Sequence, residues 1–293
     1  MNKTLANIIS SLVPSKTGRR RWRGILRYGL INSIKLLIKL HREKTTPTRY
    51  FLTICAIAKN EGAYFQEWLE WHKNLGVEKF YIYDNESEDN TREILAPYVE
   101  LGLVEYVFWR GKGQQMSVYS NCLDQHRLDA HWIAFIDLDE FIVPVKDKTI
   151  PDFLRRFEKF CAVEINWLIY GSSGAQKKEP GNVMDRFKRH ATLDNIENRH
   201  VKSIVNPRRI FAFTGAHEAA RISLRAADSH GTPITKNFQL REPQLDVIRI
   251  NHYAVKSYEE FLSKRARGKT SRNRKNSLDY FDRFDLNDIY DIN

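Results

Sequence analysis

The sequence predicts an α/β protein whose sheet is mostly parallel and is covered by helices on both faces. Between residues 51 and 136, runs of strand-forming apolar residues alternate strictly with segments of helical periodicity. Such alternation indicates parallel pairing, because neighbouring parallel strands need a crossover helix between them. The first apolar run is continuous rather than alternating, which favours a strand buried on both faces.

The first strand and the first helix are the clearest elements. The strand is predicted over residues 51–58, FLTICAIA, an apolar run with β-branched residues. The helix follows in EGAYFQEWLEWHKNLG, where apolar side chains between Phe65 and His72 fall on one stripe. Gly76 is expected to end this helix, because glycine readily adopts the left-handed conformation of a helix terminus.

Three more strands and two more helices continue the pattern. The strands are predicted in KFYIYD, LVEYVFW and HWIAFID, in that order along the chain. A helix is predicted in SEDNTREILAPYV, which opens on residues that cap helices and ends where Pro97 disturbs it. The other helix is predicted in QMSVYSNCLDQHRL, between the third and fourth strands.

Polar turns follow three of the predicted strands. They are KNE at residues 59–61, DNESEDN at 84–90 and DLDE at 137–140. Ligands of open α/β sheets bind at the carboxyl ends of the strands, so the three turns are expected to meet at one rim. The acids are expected to be exposed and aimed into a cleft, since unpaired carboxylates are costly to bury.

The DLDE turn is the strongest chemical signal. Asp137 and Asp139 stand two positions apart directly after a strand and could share a divalent cation. Carboxylate oxygens are the ligands that Mg²⁺ and Mn²⁺ prefer, and these ions also bind phosphate oxygens. The structural alternative is that Asp137 caps a turn while Asp139 and Glu140 are solvated.

Composition excludes a disordered chain and points to a reducing compartment. The 293 residues are 42% hydrophobic, as in folded globular proteins. The cysteines at positions 55, 122 and 161 are scattered and have no metal-ligand spacing. They are therefore expected to be reduced core thiols of a cytoplasmic protein.

Residues 15–44 carry much of the net charge of +11, including an arginine cluster at 19–23. Apolar residues recur there at helical spacing, but basic residues interrupt them, so the segment should not span a bilayer. Two alternatives remain open. The helix lies on an anionic membrane surface, or it docks on the domain with its lysines in water.

The ordered blocks of the chain resemble the GT-A glycosyltransferases of family 92 and related family-2-like bacterial enzymes. The blocks are AIAKNEGAYF, YDNESEDNT, WIAFIDLDEFIVP, WLIYGSSG, VKSIVNPRRI and RINHYAVKSYEEFLSKRARG. The resemblance implies a GT-A type, Rossmann-like sheet over residues 51–270. A basic amphipathic extension, 1–50, and a polar tail, 271–293, would flank this domain.

The resemblance implies metal-dependent, inverting transfer of a sugar from UDP-galactose or UDP-glucose to a hydroxyl of a glycan or lipid-linked glycan. The implied metal is Mn²⁺ or Mg²⁺, held by Asp137, Asp139 and His252. Such an ion would neutralise the charge that develops on the leaving diphosphate. For His252, the alternative is an ordinary packed histidine of a strand.

The donor residues implied by the resemblance come from the polar turns and from a basic segment near the C-terminus. They are Lys59, Asn60, Glu61, Asp84, Asp137, Lys256 and Lys264. Asp84 would recognise the base, and the two later lysines would face the diphosphate. Lys256 and Lys264 belong to a run of basic residues that includes Arg265 and Arg267, and this run could equally be a solvated helix face. The same two alternatives, a ligand contact or a solvated position, apply to Lys202.

Acceptor contacts are implied for the glycine loop and for one histidine. These residues are Gly171, Ser172, Ser173 and His217, although Ala175 stands where the family commonly has histidine. Inverting transfer also needs a carboxylate base. Asp185 is preferred and Glu218 is the main alternative, while a salt bridge from Asp185 to Arg186 or Arg189 is the structural alternative.

Two rival functions are a nucleic-acid-binding protein and a non-catalytic relative that only binds nucleotide-sugars. The sequence pI of 9.5 and the run KRARGKTSRNRKN favour the first. However, the basic residues lie at the chain ends and no recognition motif is present, so no nucleic acid is expected.

A bacterial setting in lipopolysaccharide biosynthesis is preferred, with the enzyme peripheral on the inner face of the cytoplasmic membrane.

Overall fold

The structure, a computed structural model, describes residues 25, 29–43, 45–215, 218–222, 225–234, 240, 242–268 and 277–291. The helices in these residues are α1 (Leu30–Arg42), α2 (Gly62–Asn74), α3 (Thr91–Glu100), α4 (Gln115–His126), α5 (Ile150–Leu154), α6 (Val183–Arg186), α7 (Tyr258–Arg267) and α8 (Asp279–Phe284). The strands are β1 (Tyr50–Ala58), β2 (Lys79–Asp84), β3 (Val104–Phe108), β4 (Ala130–Phe135), β5 (Glu140–Pro144), β6 (Ala162–Ile169), β7 (Arg189–His190), β8 (Val201–Val205), β9 (Ile210–Gly215), β10 (Glu218–Arg221), β11 (Ala226–Ala227), β12 (Pro233–Ile234), β13 (Ile248–His252) and β14 (Ile289–Tyr290).

The main sheet has the strand order β12-β11-β6-β8-β4-β1-β2-β3. β1 pairs in parallel with β2 and β4, and β2 pairs in parallel with β3. β8 is antiparallel to β4 and β6, and β13 joins β6 in parallel and β5 in antiparallel. The predicted fold class, a mostly parallel GT-A type sheet with helices on both faces, is confirmed.

Alternate residues of β1 pack into separate cores on the two faces of the sheet. Ile54 belongs to the core that contains Trp68 of α2, whereas Cys55 belongs to the core that contains Tyr119 of α4. All four side chains are fully buried. Burial on both faces explains the continuous apolar run, and the three cysteines are buried thiols that form no disulfide, as predicted.

The ends of α2 and α3 show one correct and one wrong prediction. α2 ends just before Gly76, which has a φ of 94° as a helix-ending glycine should. α3 does not end at Pro97 but continues to Glu100. Pro97 lies on the exposed side of α3, so the Glu93 carbonyl that it leaves without an intrahelical partner can be hydrated.

The basic segment before the sheet forms α1, which docks on the domain. Leu36 is 6% exposed and belongs to a small core with Phe211, Ala220 and Ile222. Docking on the domain, one of the two predicted alternatives, is therefore observed. In the part of the chain that is described, no helix is long and apolar enough to cross a bilayer. The arginine cluster at 19–23 lies outside that part.

Candidate active site

The turns after β1 and β2 are tied to each other. The backbone N–H of Asn60 donates to Ser87 Oγ (2.9 Å), and the N–H of Glu88 donates to Asn60 Oδ1 (2.7 Å). Asp84, predicted to recognise the base, is 2% exposed. Its carboxylate accepts from the Ser87 N–H and from the hydroxyl of Tyr106. The first two turns therefore meet as predicted, and Asp84 holds the second of them in place.

The end of α7 clamps the first turn. Arg267 donates to the backbone carbonyls of Lys59 (2.5 Å) and Asn60 (2.8 Å). It also donates to the buried carboxylate of Glu61 (2.6 Å). Burial would lower the pKa of Arg267, but the Glu61 carboxylate raises it. Arg267, left ambiguous by the sequence, is thus a partly buried positioning residue rather than part of a solvated face.

The second aspartate of DLDE is buried against cations. Asp139 is 5% exposed, its carboxylate contacts the Lys264 ammonium, and it lies 3.7 Å from Nε2 of His252. His252 arrives there because it pairs with Glu140 in the β13–β5 ladder. Burial would raise the pKa of Asp139, but the Lys264 ammonium and His252 hold it well below its usual range. Asp139 is therefore ionised at neutral pH.

Lys202 contacts the other two acids of the turn. Its buried ammonium donates to Asp137 (2.7 Å) and lies 3.3 Å from the carboxylate of Glu140. Gln115 donates to the second oxygen of Asp137 (3.0 Å). Burial raises the pKa of Glu140 to about 8, an effect that Lys202 opposes. The expectation of exposed acids is wrong for Asp139 and Glu140. Lys264 offsets the cost of burying the charge of Asp139, whereas Lys202 offsets that cost only in part for Glu140, whose pKa stays raised.

A cavity of about 420 Å³ opens between the first turn and α7. Its lining includes Glu61, Tyr64, Lys256, Lys264 and Arg267. Lys264 also contacts the second aspartate of DLDE, so the cavity adjoins the buried acids. A concave, cation-lined site of this kind suits a ligand that carries phosphate groups.

Lys256 is a buried cation that faces no carboxylate within ion-pair distance among the described residues. It is 4% exposed, and its ammonium lies 4.3 Å from the ring centroid of Tyr64. The Tyr64 hydroxyl donates to Glu260 (2.7 Å), which fixes the ring. Burial lowers the pKa of Lys256 to about 8, despite the nearby carboxylate of Asp139. An ammonium desolvated in this way favours an anionic ligand.

Two of the three predicted metal ligands fit a shared divalent cation. Nε2 of His252 and Oδ1 of Asp139 are 3.7 Å apart, within the roughly 3–4 Å spanned by two ligands of one ion with bonds of about 2.1 Å. The other ring nitrogen of His252 has no hydrogen-bond partner in the described residues. Asp137 is held by Lys202 instead, and no described group of three or more His, Cys, Asp or Glu is placed to hold a metal ion.

The predicted acceptor loop is covered by the C-terminal segment that contains α8 and β14. The Ser172 N–H donates to Asp285 (2.6 Å), and the Ser173 N–H donates to Asn287 (2.7 Å). A Cβ at Gly171 would lie 2.5 Å from Asn287 Oδ1, so only glycine fits there. The loop therefore anchors this part of the predicted polar tail, and its contact with an acceptor stays a prediction.

Two carboxylates, Asp185 and Glu218, are predicted as the general base, and the structure describes the side chain of Asp185 only. Asp185 lies exposed on α6, where its carboxylate accepts from Asn182 (3.2 Å), and it does not line the described cavity. Arg186, one predicted salt-bridge partner of Asp185, pairs with Glu260 instead (2.8 Å). Glu218 begins β10, but its side chain lies outside the described residues, as does the whole of His217.

Tyr64 and Glu260 belong to this site although neither was predicted. Tyr64 falls within the helical pattern of α2, where nothing in the sequence marks it as a ligand contact. Glu260 does carry a signal, because SYEE matches the capping box that begins a helix. Ser257 and Glu260 form that capping box at the start of α7.

Comparison with known proteins gives a family match over most of the chain. The sequence profile of glycosyltransferase family 92 matches residues 51–290. A family 92 protein of Ricinus communis is 24% identical over 218 residues, covering 73% of this chain and 37% of the relative. Beta-1,4-galactosyltransferase galt-1 of Caenorhabditis elegans is 25% identical over 253 residues, covering 78% of this chain and 55% of the relative.

The chain is shorter than these relatives. It spans 18% of the length of a family 92 protein of Oryza sativa subsp. japonica, with 29% identity over 108 residues. Among solved structures, S. aureus TarS 1-349 is similar with a TM-score of 0.38 and 17% identity. That alignment covers 54% of this chain and 47% of the other.

Proposed function

This chain belongs to glycosyltransferase family 92, and we propose that it transfers a sugar from a UDP-linked donor to a hydroxyl of a glycan or lipid-linked glycan. The proposed donor is UDP-galactose, with UDP-glucose as the alternative. Support for galactose comes from the names of relatives, galt-1 and the galactan beta-1,4-galactosyltransferase GALS3 of Arabidopsis thaliana. The proposed reaction inverts the anomeric configuration.

The observation that carries the proposal is the set of cations around the cavity at the carboxyl edge of the sheet. Lys256, Lys264 and Arg267 line it, and a UDP-sugar brings a diphosphate that needs such partners. Lys256 has no carboxylate at ion-pair distance among the described residues, so a diphosphate oxygen would supply the missing anion. Charge-assisted hydrogen bonds of this kind are about twice as strong as neutral ones.

Asp139 and His252 are proposed to hold Mn²⁺ or Mg²⁺ beside the diphosphate. When bound, the ion would supply positive charge against the charge that develops on the leaving group. Lys264, which contacts Asp139 in the structure, would turn its ammonium to a diphosphate oxygen. Lys202 would keep Asp137 oriented at the rim of the site.

In the proposed step, the acceptor hydroxyl oxygen bonds to the anomeric carbon as the bond from that carbon to the diphosphate breaks. The electron pair of the broken bond leaves with UDP, and the hydroxyl proton passes to a carboxylate. Asp185 is proposed as that base, and Glu218 is the alternative.

Asp185→Asn is expected to lower transfer by about 10²–10⁴-fold, the usual contribution of a general base. UDP affinity should not change, because the base acts on the acceptor and not on the donor. Turnover with the active nucleotide-sugar and calorimetry with UDP measure the two effects. Asp194→Asn, at another exposed aspartate, is the matched control. Normal transfer by Asp185→Asn together with loss in Glu218→Gln would assign the base to Glu218.

A panel of nucleotide-sugars with Mn²⁺ tests the function itself. We expect turnover of a UDP-hexose, and a rise in melting temperature with UDP because a ligand of the native state stabilises it. A thermal shift with UDP but no turnover of any donor would favour the non-catalytic relative. A shift with oligonucleotides but not with UDP would favour the nucleic-acid-binding function.

The proposed setting is the inner face of a bacterial cytoplasmic membrane, in lipopolysaccharide biosynthesis. The acceptor there would be a glycan carried by a lipid, and the enzyme would be peripheral. Support comes from the basic amphipathic sequence of residues 15–44.

A further inference from the structure

α1 leaves an apolar stripe uncovered on the side away from the domain. Leu36 and Ser33 are the buried residues of the helix, and Leu36 packs on the domain. The apolar side chains that remain exposed are Leu30 (56%), Ile31 (69%), Ile34 (50%), Leu37 (36%) and Ile38 (48%). A helix that only braced the domain would have no need of them.

The spacing of these five residues forms one continuous face. At about 100° per residue they span an arc of about 120°, whose centre lies about 160° from Leu36. On the same scale Lys35, Lys39 and Arg42 follow one another along the flank of this arc. α1 contains no acidic residue, so the exposed half of the helix is apolar at its centre, apart from His41 in the last turn, and basic along its edge.

Two of these basic residues also border a cavity of about 220 Å³ between α1 and α4. Lys35 and Lys39 line it, together with Asp124 and Arg127. Asp124 lies 3.8 Å from the guanidinium of Arg127. Neither lysine has an ion-pair partner within the ranges that the structure covers. The cavity is therefore open to an anionic group at the edge of the apolar stripe.

We propose that α1 binds an anionic phospholipid bilayer and lies in the plane of its interface. The apolar stripe would enter the boundary between headgroups and acyl chains, and Lys35 and Lys39 would contact headgroup phosphates. An apolar arc flanked by basic residues, with no acidic residue on the helix, fits an anionic lipid surface, which offers both acyl chains and phosphates. A protein partner would have to supply an apolar surface and acidic groups in the same arrangement. This surface shares no residue with the donor cavity, so the proposal does not rest on sugar transfer, and it assigns a surface and a lipid class to the peripheral membrane setting proposed above.

Sedimentation of the full chain with vesicles tests the proposal. Binding is expected to phosphatidylcholine vesicles that contain phosphatidylglycerol, with release at high salt, and weak binding to phosphatidylcholine alone. Ile31→Ser with Ile34→Ser, and separately Lys35→Glu with Lys39→Glu, should each lower the partition coefficient roughly tenfold or more. Leu101→Ser, at a residue 80% exposed just after the end of α3, should change nothing.

UDP binding and the melting temperature, measured on the same variants, show that the fold is retained. Equal binding by the wild type and the Ile31→Ser, Ile34→Ser variant would overturn the proposal, as would equal binding to neutral and anionic vesicles. Absence of vesicle binding, with a dimer that the serine substitutions dissociate, would assign the stripe to a second copy of the chain instead.

Discussion

Asp139→Asn is expected to abolish sugar transfer while leaving the protein folded. The substitution preserves size but removes the charge that faces Lys264 and His252. Loss of one electrostatic contact to a developing charge costs about 10²–10³-fold in turnover. Metal-dependent UDP binding should fall with it, because the proposed ion loses its anionic ligand. Turnover and UDP affinity with and without EDTA measure both effects, and full activity of the variant in EDTA would refute the metal role.

The same substitution leaves the Lys264 ammonium without its partner, which is expected to destabilise the fold by about 3 kcal/mol. The double variant Asp139→Asn, Lys264→Met removes both charges and should recover most of that stability, but not transfer. Denaturant unfolding of the two variants separates loss of fold from loss of chemistry. Recovery of transfer in the double variant would mean that Asp139 has only a structural role.

Lys256→Met is expected to weaken UDP binding by about tenfold or more and to stabilise the free protein. The pKa of Lys256 is lowered from 10.5 to about 8, so the folded state binds this proton less tightly than the unfolded state. Below pH 8 the buried ammonium therefore costs about 3 kcal/mol, a cost that fades as pH rises towards 10.5. Unfolding at pH 7 and pH 10 should show a gain for the variant at pH 7 that shrinks at pH 10.

Lys159→Met is the matched control for this experiment. Lys159 also lies over an aromatic ring, 5.5 Å from the centroid of Phe160, but it is exposed and does not line the cavity. Its substitution should change UDP affinity and stability little. In the wild type, UDP affinity should also fall as pH rises through about 8, because Lys256 loses its charge. Unchanged UDP affinity in Lys256→Met would mean that the cavity does not take the diphosphate.

The order of strands and helices in the first half of the domain could be predicted because each element carries a local signal. β1 is a continuous apolar run, and Gly76 adopts the positive φ that ends α2. The meeting of the first two turns followed from parallel topology alone. The end of α3 was predicted wrongly at Pro97, because the effect of a proline depends on whether its side of the helix faces water. Packing, rather than local sequence, determines which side that is.

The burial of the DLDE acids could not be predicted, because their partners are far away in the chain. Lys202 is 65 positions from Asp137, and Lys264 is 125 positions from Asp139. Both lysines can be read from the sequence, but no local pattern distinguishes a lysine that pairs with a buried acid from a lysine on a solvated face. The contact between the Ser172 loop and the C-terminal segment could not be predicted for the same reason, since Asp285, the partner of Ser172, is 113 positions later.

The clamp that Arg267 places on the first turn determines when the site can form during synthesis. Glu61 and Arg267 are 206 positions apart, so the ribosome releases the first turn long before it makes α7. A growing chain can pair β1 with β2 and β4, since all three precede residue 136. It cannot clamp the first turn or bring Lys264 to Asp139. Nascent and prematurely terminated chains that lack α7 are therefore expected to be inert towards nucleotide-sugars in the cell.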